Sequence, residues 1–179
     1  MFERHARSIW FEAQQRLAVS SNNLPATLVV VDMLDDRFPA SLNENTVAAV
    51  TNLMVNARQQ GAGIVLLECL GCHTQQRLMA LIAGYQNKMI AEKKHNDGSV
   101  QVIESCLDLG CCINQFVVCG VNTNYCVLET VLGLLSLVPS CTVQVHKGAC
   151  NQDTNTNKYT GQIERSNWSR FNDPRIRLV

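Results

Sequence analysis

The segment that most limits what this chain can become is Thr27-Leu28-Val29-Val30-Val31, an apolar and β-branched run that stops on a carboxylate, Asp32. A strand with no polar alternation is buried on both faces, as happens in a parallel sheet covered by helices. Parallel strands need a crossover, and the following residues supply one. From Asn43 to Gln60 apolar residues recur at helical spacing (Val47, Val50, Leu53, Met54, Ala57), and Gly61 with Gly63 ends the helix before Ile64-Val65-Leu66-Leu67-Glu68. This is a βαβ unit. The alternation continues with a helical stretch at about 74–84 closing at Gly84, a short strand near Lys88–Ala91, a helix over Ser99–Leu109 and a strand at Gln115–Cys119. A helix over Asn124–Leu137 and a strand at Cys141–His146 follow. The pattern predicts the α/β class, with a mostly parallel, six-stranded sheet covered on both faces.

A chain of 179 residues fits one domain spanning 1–179. Residues 1–24, with Ile9, Trp10, Ala13 and Leu17 at helical spacing before Ser-Ser-Asn-Asn and Pro25, read as an N-terminal arm. The segment 151–179 reads as a polar C-terminal tail that forms a last helix or meets a partner subunit. Lys plus Arg equal Asp plus Glu at 15 each, which leaves no basic field for nucleic acid. No hydrophobic run is long enough for a signal peptide or a membrane span, so the expected location is the cytoplasm. The nine cysteines are odd in number, and Cys106, Cys119 and Cys141 sit in apolar runs; they read as reduced core thiols rather than a disulfide framework. The sequon Asn167-Trp168-Ser169 is then accidental.

Open parallel sheets bind ligands beyond the carboxyl ends of their strands, and Asp32, Glu68, Lys93 and Cys126 all fall just after strands. Cys126 follows the strand that breaks at Gly120 and sits where the next helix begins. Unpaired N–H groups and the helix dipole there favour a thiolate, making Cys126 a candidate nucleophile. Taken singly, each residue has a plainer alternative: Asp32 as a cap, Cys126 as a small buried hydrophobe, Lys93 as a solvated charge.

The string Gly120-Val121-Asn122-Thr123-Asn124-Tyr125-Cys126-Val127-Leu128-Glu129-Thr130 resembles the signature G-[VI]-x-T-x-x-C-V-x-x-T of the isochorismatase-like cysteine hydrolases. Leu28–Met33 with Asp36 and Phe38 resembles that family's first strand, and Glu92-Lys93-Lys94-His95-Asn96-Asp97-Gly98-Ser99 its lysine segment. The resemblance covers about residues 25–150. It implies a Rossmann-like three-layer α/β/α sandwich and a triad of Asp32, Lys93 and Cys126. Lys94 is the adjacent competitor for the lysine; the spacing to Asp97-Gly98 favours Lys93. It also implies oxyanion donors at the Asn122 and Cys126 N–H groups, a cis Val121–Asn122 peptide bond, no cofactor, and assembly as a homo-oligomer through the arm and tail. The implied reaction hydrolyses an amide-type C–N bond of a small molecule through a thioester, with Asp32 serving as base, acid and base again.

Several positions depart from that family. Its nicotinamidase branch has a D-x-H metal site after the second strand, where this chain reads Glu68-Cys69-Leu70-Gly71-Cys72-His73-Thr74. Cys69-x-x-Cys72-His73 has no second pair of matching spacing, so no metal is expected. Leu34, Gly148-Ala149-Cys150, and Ser99 with Val100 replace the family's glutamine, Asp-Ala-Cys string and aromatic residue, changes that alter the pocket rather than the triad. Retention of the cysteine favours amide chemistry over vinyl-ether cleavage. Glu68, Thr74, Asn122, Asn124 and Tyr125, on strand-end loops, are the expected substrate-pocket walls, with Asn122 and Asn124 equally suited to capping a helix. The altered pocket also suits a second reading, a catalytically inactive member that binds a small molecule or acts as an interaction protein. A nucleotide-binding Rossmann protein is disfavoured because no Gly-x-Gly-x-x-Gly follows a strand.

Overall fold

Strand β1 (Thr27–Val31) is buried along its whole length, as its unbroken apolar run requires. It lies at the centre of a six-stranded sheet of order β3-β2-β1-β4-β5-β6. The architecture is that of a computed structural model, which describes residues 24–35, 38–153 and 165–179. The remaining elements are α1 (Glu44–Gln59), β2 (Ile64–Cys69), α2 (Gln76–Leu81), β3 (Lys88–Lys93), α3 (Ser99–Leu109), β4 (Gln115–Gly120), a π-helical turn (Thr123–Val127), α4 (Leu128–Leu137), β5 (Thr142–Cys150) and β6 (Ile176–Leu178). Every strand pairing is parallel, so the sheet is parallel throughout rather than mostly so. Helices α1 and α2 pack together, as do α3 and α4, giving the α/β/α sandwich.

Local chemistry explains the element ends. Asn43 caps α1 by accepting the Thr46 N–H at 3.1 Å, and Glu44 places a negative charge in the first turn. Val47, Val50, Met54 and Ala57 form the buried stripe that the helical spacing predicted. Helix α3 stops at Gly110, whose φ of 65° allows a left-handed C-terminal turn. There the Cys111 N–H donates to the Cys106 carbonyl at 3.1 Å and the Gly110 N–H to the Leu107 carbonyl at 3.3 Å.

Other expectations need correcting. The stretch 74–84 yields only the six-residue α2, and the helix predicted from Asn124 begins as the π-helical turn. Of the C-terminal tail, residues 154–164 lie outside the described residues; among the described ones a 3-10 turn (Trp168–Arg170) leads into β6, which pairs with β5 through Val143 and Ile176. The strand runs had located five strands, and β6 is the sixth. Most of the arm, residues 1–23, lies outside the described residues. Among the described residues no helix is long and apolar enough to cross a membrane.

Strands β1 and β4 pair with Val31 opposite Gly120. Gly120 has a φ of 119°, and a Cβ there would collide with the Val31 carbonyl oxygen. Because that carbon is missing, the Val121 N–H donates to Val31 O at 2.9 Å. The ends of the two central strands, one carrying Asp32 and the other leading to Cys126, are thereby held together.

Candidate active site

Asp32 follows β1 in a left-handed conformation, φ 48°, unusual for any residue but glycine and most tolerable for Asp and Asn. Its N–H donates to Leu67 O at 2.9 Å. Lys93 ends β3, two strands away, opposite Cys69. Its side chain reaches back so that Nζ lies 2.8 Å from Asp32 Oδ2, with side-chain exposures of 3% and 0%. Nζ also donates to the His95 carbonyl at 3.2 Å. Space for this reach comes partly from Gly98, where a Cβ would stand 3.1 Å from Lys93 Cδ and 2.5 Å from Leu67 Cδ1. Lys94, just past the end of β3, is exposed at the rim of the same cavity, and no ion pair joins it to Asp32 among the described residues. Burial pulls the Lys93 pKa down, but the charge and hydrogen bond of Asp32, aided by Cys126, push it above the ordinary value overall. Lys93 is an ammonium.

Cys126 sits in the π-helical turn and is 6% exposed. Its Sγ lies 3.6 Å from Asn96 Oδ1, and it lines one cavity with Asp32 and Lys93, both near enough to shift its titration. Burial, then the Asp32 carboxylate, pushes the thiol up to about 11 despite the opposing pull of Lys93. The helix start does not deliver the resting thiolate that its position suggested. Burial and a neighbouring anion outweigh the cation, and the resting site is a thiol beside an ion pair.

Asp32, Phe38, Leu70, Lys93, Asn96 and Cys126 face a cavity of about 340 Å³ that opens to solvent. This is the size of a small-molecule site. The expected walls lie elsewhere. Glu68 and Thr74 are buried, with Glu68 Oε1 accepting the Thr74 N–H at 2.7 Å to close the intervening loop. The Val121–Asn122 peptide bond is cis. The Asn122 side chain turns to Asp153, accepting its N–H at 2.7 Å and donating to Oδ2 at 3.3 Å. Asp153 Oδ1 in turn accepts the Ala40 N–H at 2.6 Å. Asn124 holds the chain near β6, donating to Arg165 O at 2.8 Å and accepting the Asn167 N–H at 2.7 Å, while Tyr125 is 40% exposed. None of these five residues lines this cavity.

Asn96 was the site residue most accessible to sequence reasoning, since it stands three positions after Lys93 in the lysine segment. Asp153, in a polar run without periodicity, carried no signal. In the loop Glu68–Thr74, and elsewhere among the described residues, no three His, Cys, Asp or Glu side chains converge as a metal site.

The fold is isochorismatase-like, as its likeness to solved structures shows. Among solved structures the chain is similar to a nicotinamidase from Staphylococcus aureus, with a TM-score of 0.67 and 18% identity over 86% of this chain and 97% of that one. It is similar also to an isochorismatase from Pseudomonas putida, with a TM-score of 0.65 and 15% identity over 92% of this chain and 94% of that one. A third, the MAR1 ribonuclease from Caenorhabditis elegans, gives a TM-score of 0.62 at 17% identity, covering 85% and 83% of the two chains. At these identities the likeness is one of fold. No family model and no curated protein matches the sequence.

Proposed function

We propose that this protein is a cysteine hydrolase that cleaves an amide-type C–N bond of a small molecule. The observation that carries the proposal is the buried Asp32–Lys93 pair beside the Cys126 thiol on the wall of a small-molecule cavity. As Cys126 Sγ attacks the substrate carbonyl carbon, its proton passes to Asp32, and the C=O electron pair moves onto oxygen. Lys93 stays protonated and stabilises the anionic sulfur during transfer. The Cys126 N–H, on the cavity wall, is the proposed oxyanion donor. Collapse of the tetrahedral adduct breaks the C–N bond, Asp32 returns its proton to the leaving nitrogen, and an S-acyl thioester remains. Asp32 then takes a proton from water, whose oxygen attacks the thioester; the C–S bond breaks and Cys126 regains its proton. The sum is amide plus water to carboxylic acid plus ammonia or amine.

A thiol that rests protonated suits this scheme, because the carboxylate that raises its pKa is the group that receives its proton. The test is ammonia release from a panel of small primary amides. Wild type is expected to turn over at least one of them, with trapped acyl-enzyme visible by intact mass, and Cys126→Ala to lose both signals. Turnover that survives Cys126→Ala would overturn the proposal.

A further inference from the structure

The end of α3 carries a pair of cysteines that the proposed chemistry does not use. In its left-handed C-terminal turn, Cys106 and Cys111 occupy the two positions joined by the Cys111 N–H to Cys106 carbonyl bond of 3.1 Å. Side chains at these positions touch in such motifs, usually as an apolar contact; here both are thiols. Both also meet one hydroxyl. Thr27 Oγ1 lies 3.3 Å from Cys111 Sγ and 3.9 Å from Cys106 Sγ, and donates to the Cys112 carbonyl at 2.7 Å. Gly63 closes the slot from the other side, where a Cβ would stand 2.5 Å from Cys111 Sγ. Cys106 is buried and Cys111 is partly exposed. Thr27 opens β1, so the pair lies at the amino-terminal end of the sheet, opposite Asp32 and Cys126.

We propose that Cys106 and Cys111 form a redox-active dithiol, with Cys111 as the attacking thiol, Cys106 as the resolving thiol, and a small-molecule disulfide as the oxidant. The Cys111 thiolate attacks one sulfur of the oxidant, forming a mixed disulfide and expelling one thiolate. Cys106 then gives up its proton and attacks Cys111 Sγ, expelling the second. Two protein thiols are oxidised by two electrons, the oxidant is reduced to two thiols, and the two protons lost by the protein end on them. The division of labour follows the surroundings. Cys111 is the partly exposed thiol, and the neighbouring Cys106 and Thr27 lower its pKa against the effect of burial. Cys106 is the buried thiol, and Cys111 and burial push its pKa well above the ordinary value.

The test incubates the full chain with glutathione disulfide, blocks remaining thiols and maps the peptides by mass. Wild type is expected to lose two hydrogens in a Cys106–Cys111 link that dithiothreitol reverses. Cys106→Ser stops with one glutathione on Cys111, Cys111→Ser loses the link, and Cys112→Ser keeps it. Cys126→Ala also keeps it, which separates this test from that of the proposed hydrolase activity. A link to Cys112, or glutathione on Cys69 or Cys72 while Cys106 and Cys111 stay reduced, would overturn the proposal. The wild-type map decides even if a serine variant fails to fold.

Discussion

Asp32 and Lys93 share a charge pair that water barely reaches, so neither charge is tolerable without the other. Lys93→Met leaves the carboxylate without its cation and is expected to cost about 3–5 kcal/mol in urea unfolding, with Asp32→Asn in the same chain recovering part of the loss. The pH dependence has a definite sign. Lys93 and Cys126 both have folded pKa values raised above their unfolded ones, so the folded state binds more protons at high pH. Their contribution is fully present below the unfolded values and is lost as pH rises through the folded ones. For Cys126 that window runs from roughly pH 9 to the folded value, with a slope of about 1.4 kcal/mol per pH unit. Urea midpoints at pH 7, 9 and 10.5 are expected to fall across that interval, and to fall less in Cys126→Ala. Residues alone left Lys93 and Lys94 in competition. The fold brings Lys93, the last residue of β3, to 2.8 Å from Asp32 Oδ2, while Lys94 beyond the strand end is exposed.

Two glycines govern how the elements meet. At Gly98 a methyl group would press on Leu67 and on the stem of Lys93. Gly98→Ala is therefore expected to lower Cys126-dependent turnover more than stability, read as kcat against the urea midpoint. At Gly120 the obstacle is backbone: the positive φ and the Val31 carbonyl both oppose a side chain. Gly120→Ala is expected to destabilise the fold by more than about 1 kcal/mol and to separate the strand ends that carry the site. Elements with strong signals were legible. Helix α3 was predicted to the residue, and β1 and α1 nearly so, because long periodic or unbroken apolar segments leave the chain little choice. The π-helical turn and β6 were not legible. A change in helical hydrogen bonding leaves no mark in apolar spacing, and three residues centred on the exposed Arg177 provide too short a pattern at an edge.

Over the whole molecule, alternating strands and helices made the α/β class readable, whereas strand order was not, since it depends on contacts between distant segments. The signature motifs pointed to three residues that the fold brings together, Asp32, Lys93 and Cys126, but not to the other walls of the cavity they face. Asn122 and Asn124 are absorbed in tying loops together, work that depends on partners such as Asp153, Arg165 and Asn167 far along the chain. Asp32, Lys93 and Cys126 come from β1, β3 and the turn after β4, with β2 between the first two. Nothing shorter than the joined span from β3 to β4 can bring them together. The proposed activity thus requires four strands to have found their order, a condition that no local segment can meet by itself. In refolding from urea, far-UV ellipticity is expected to return ahead of Cys126-dependent turnover; equal rates would mean that the four strands dock in a single step.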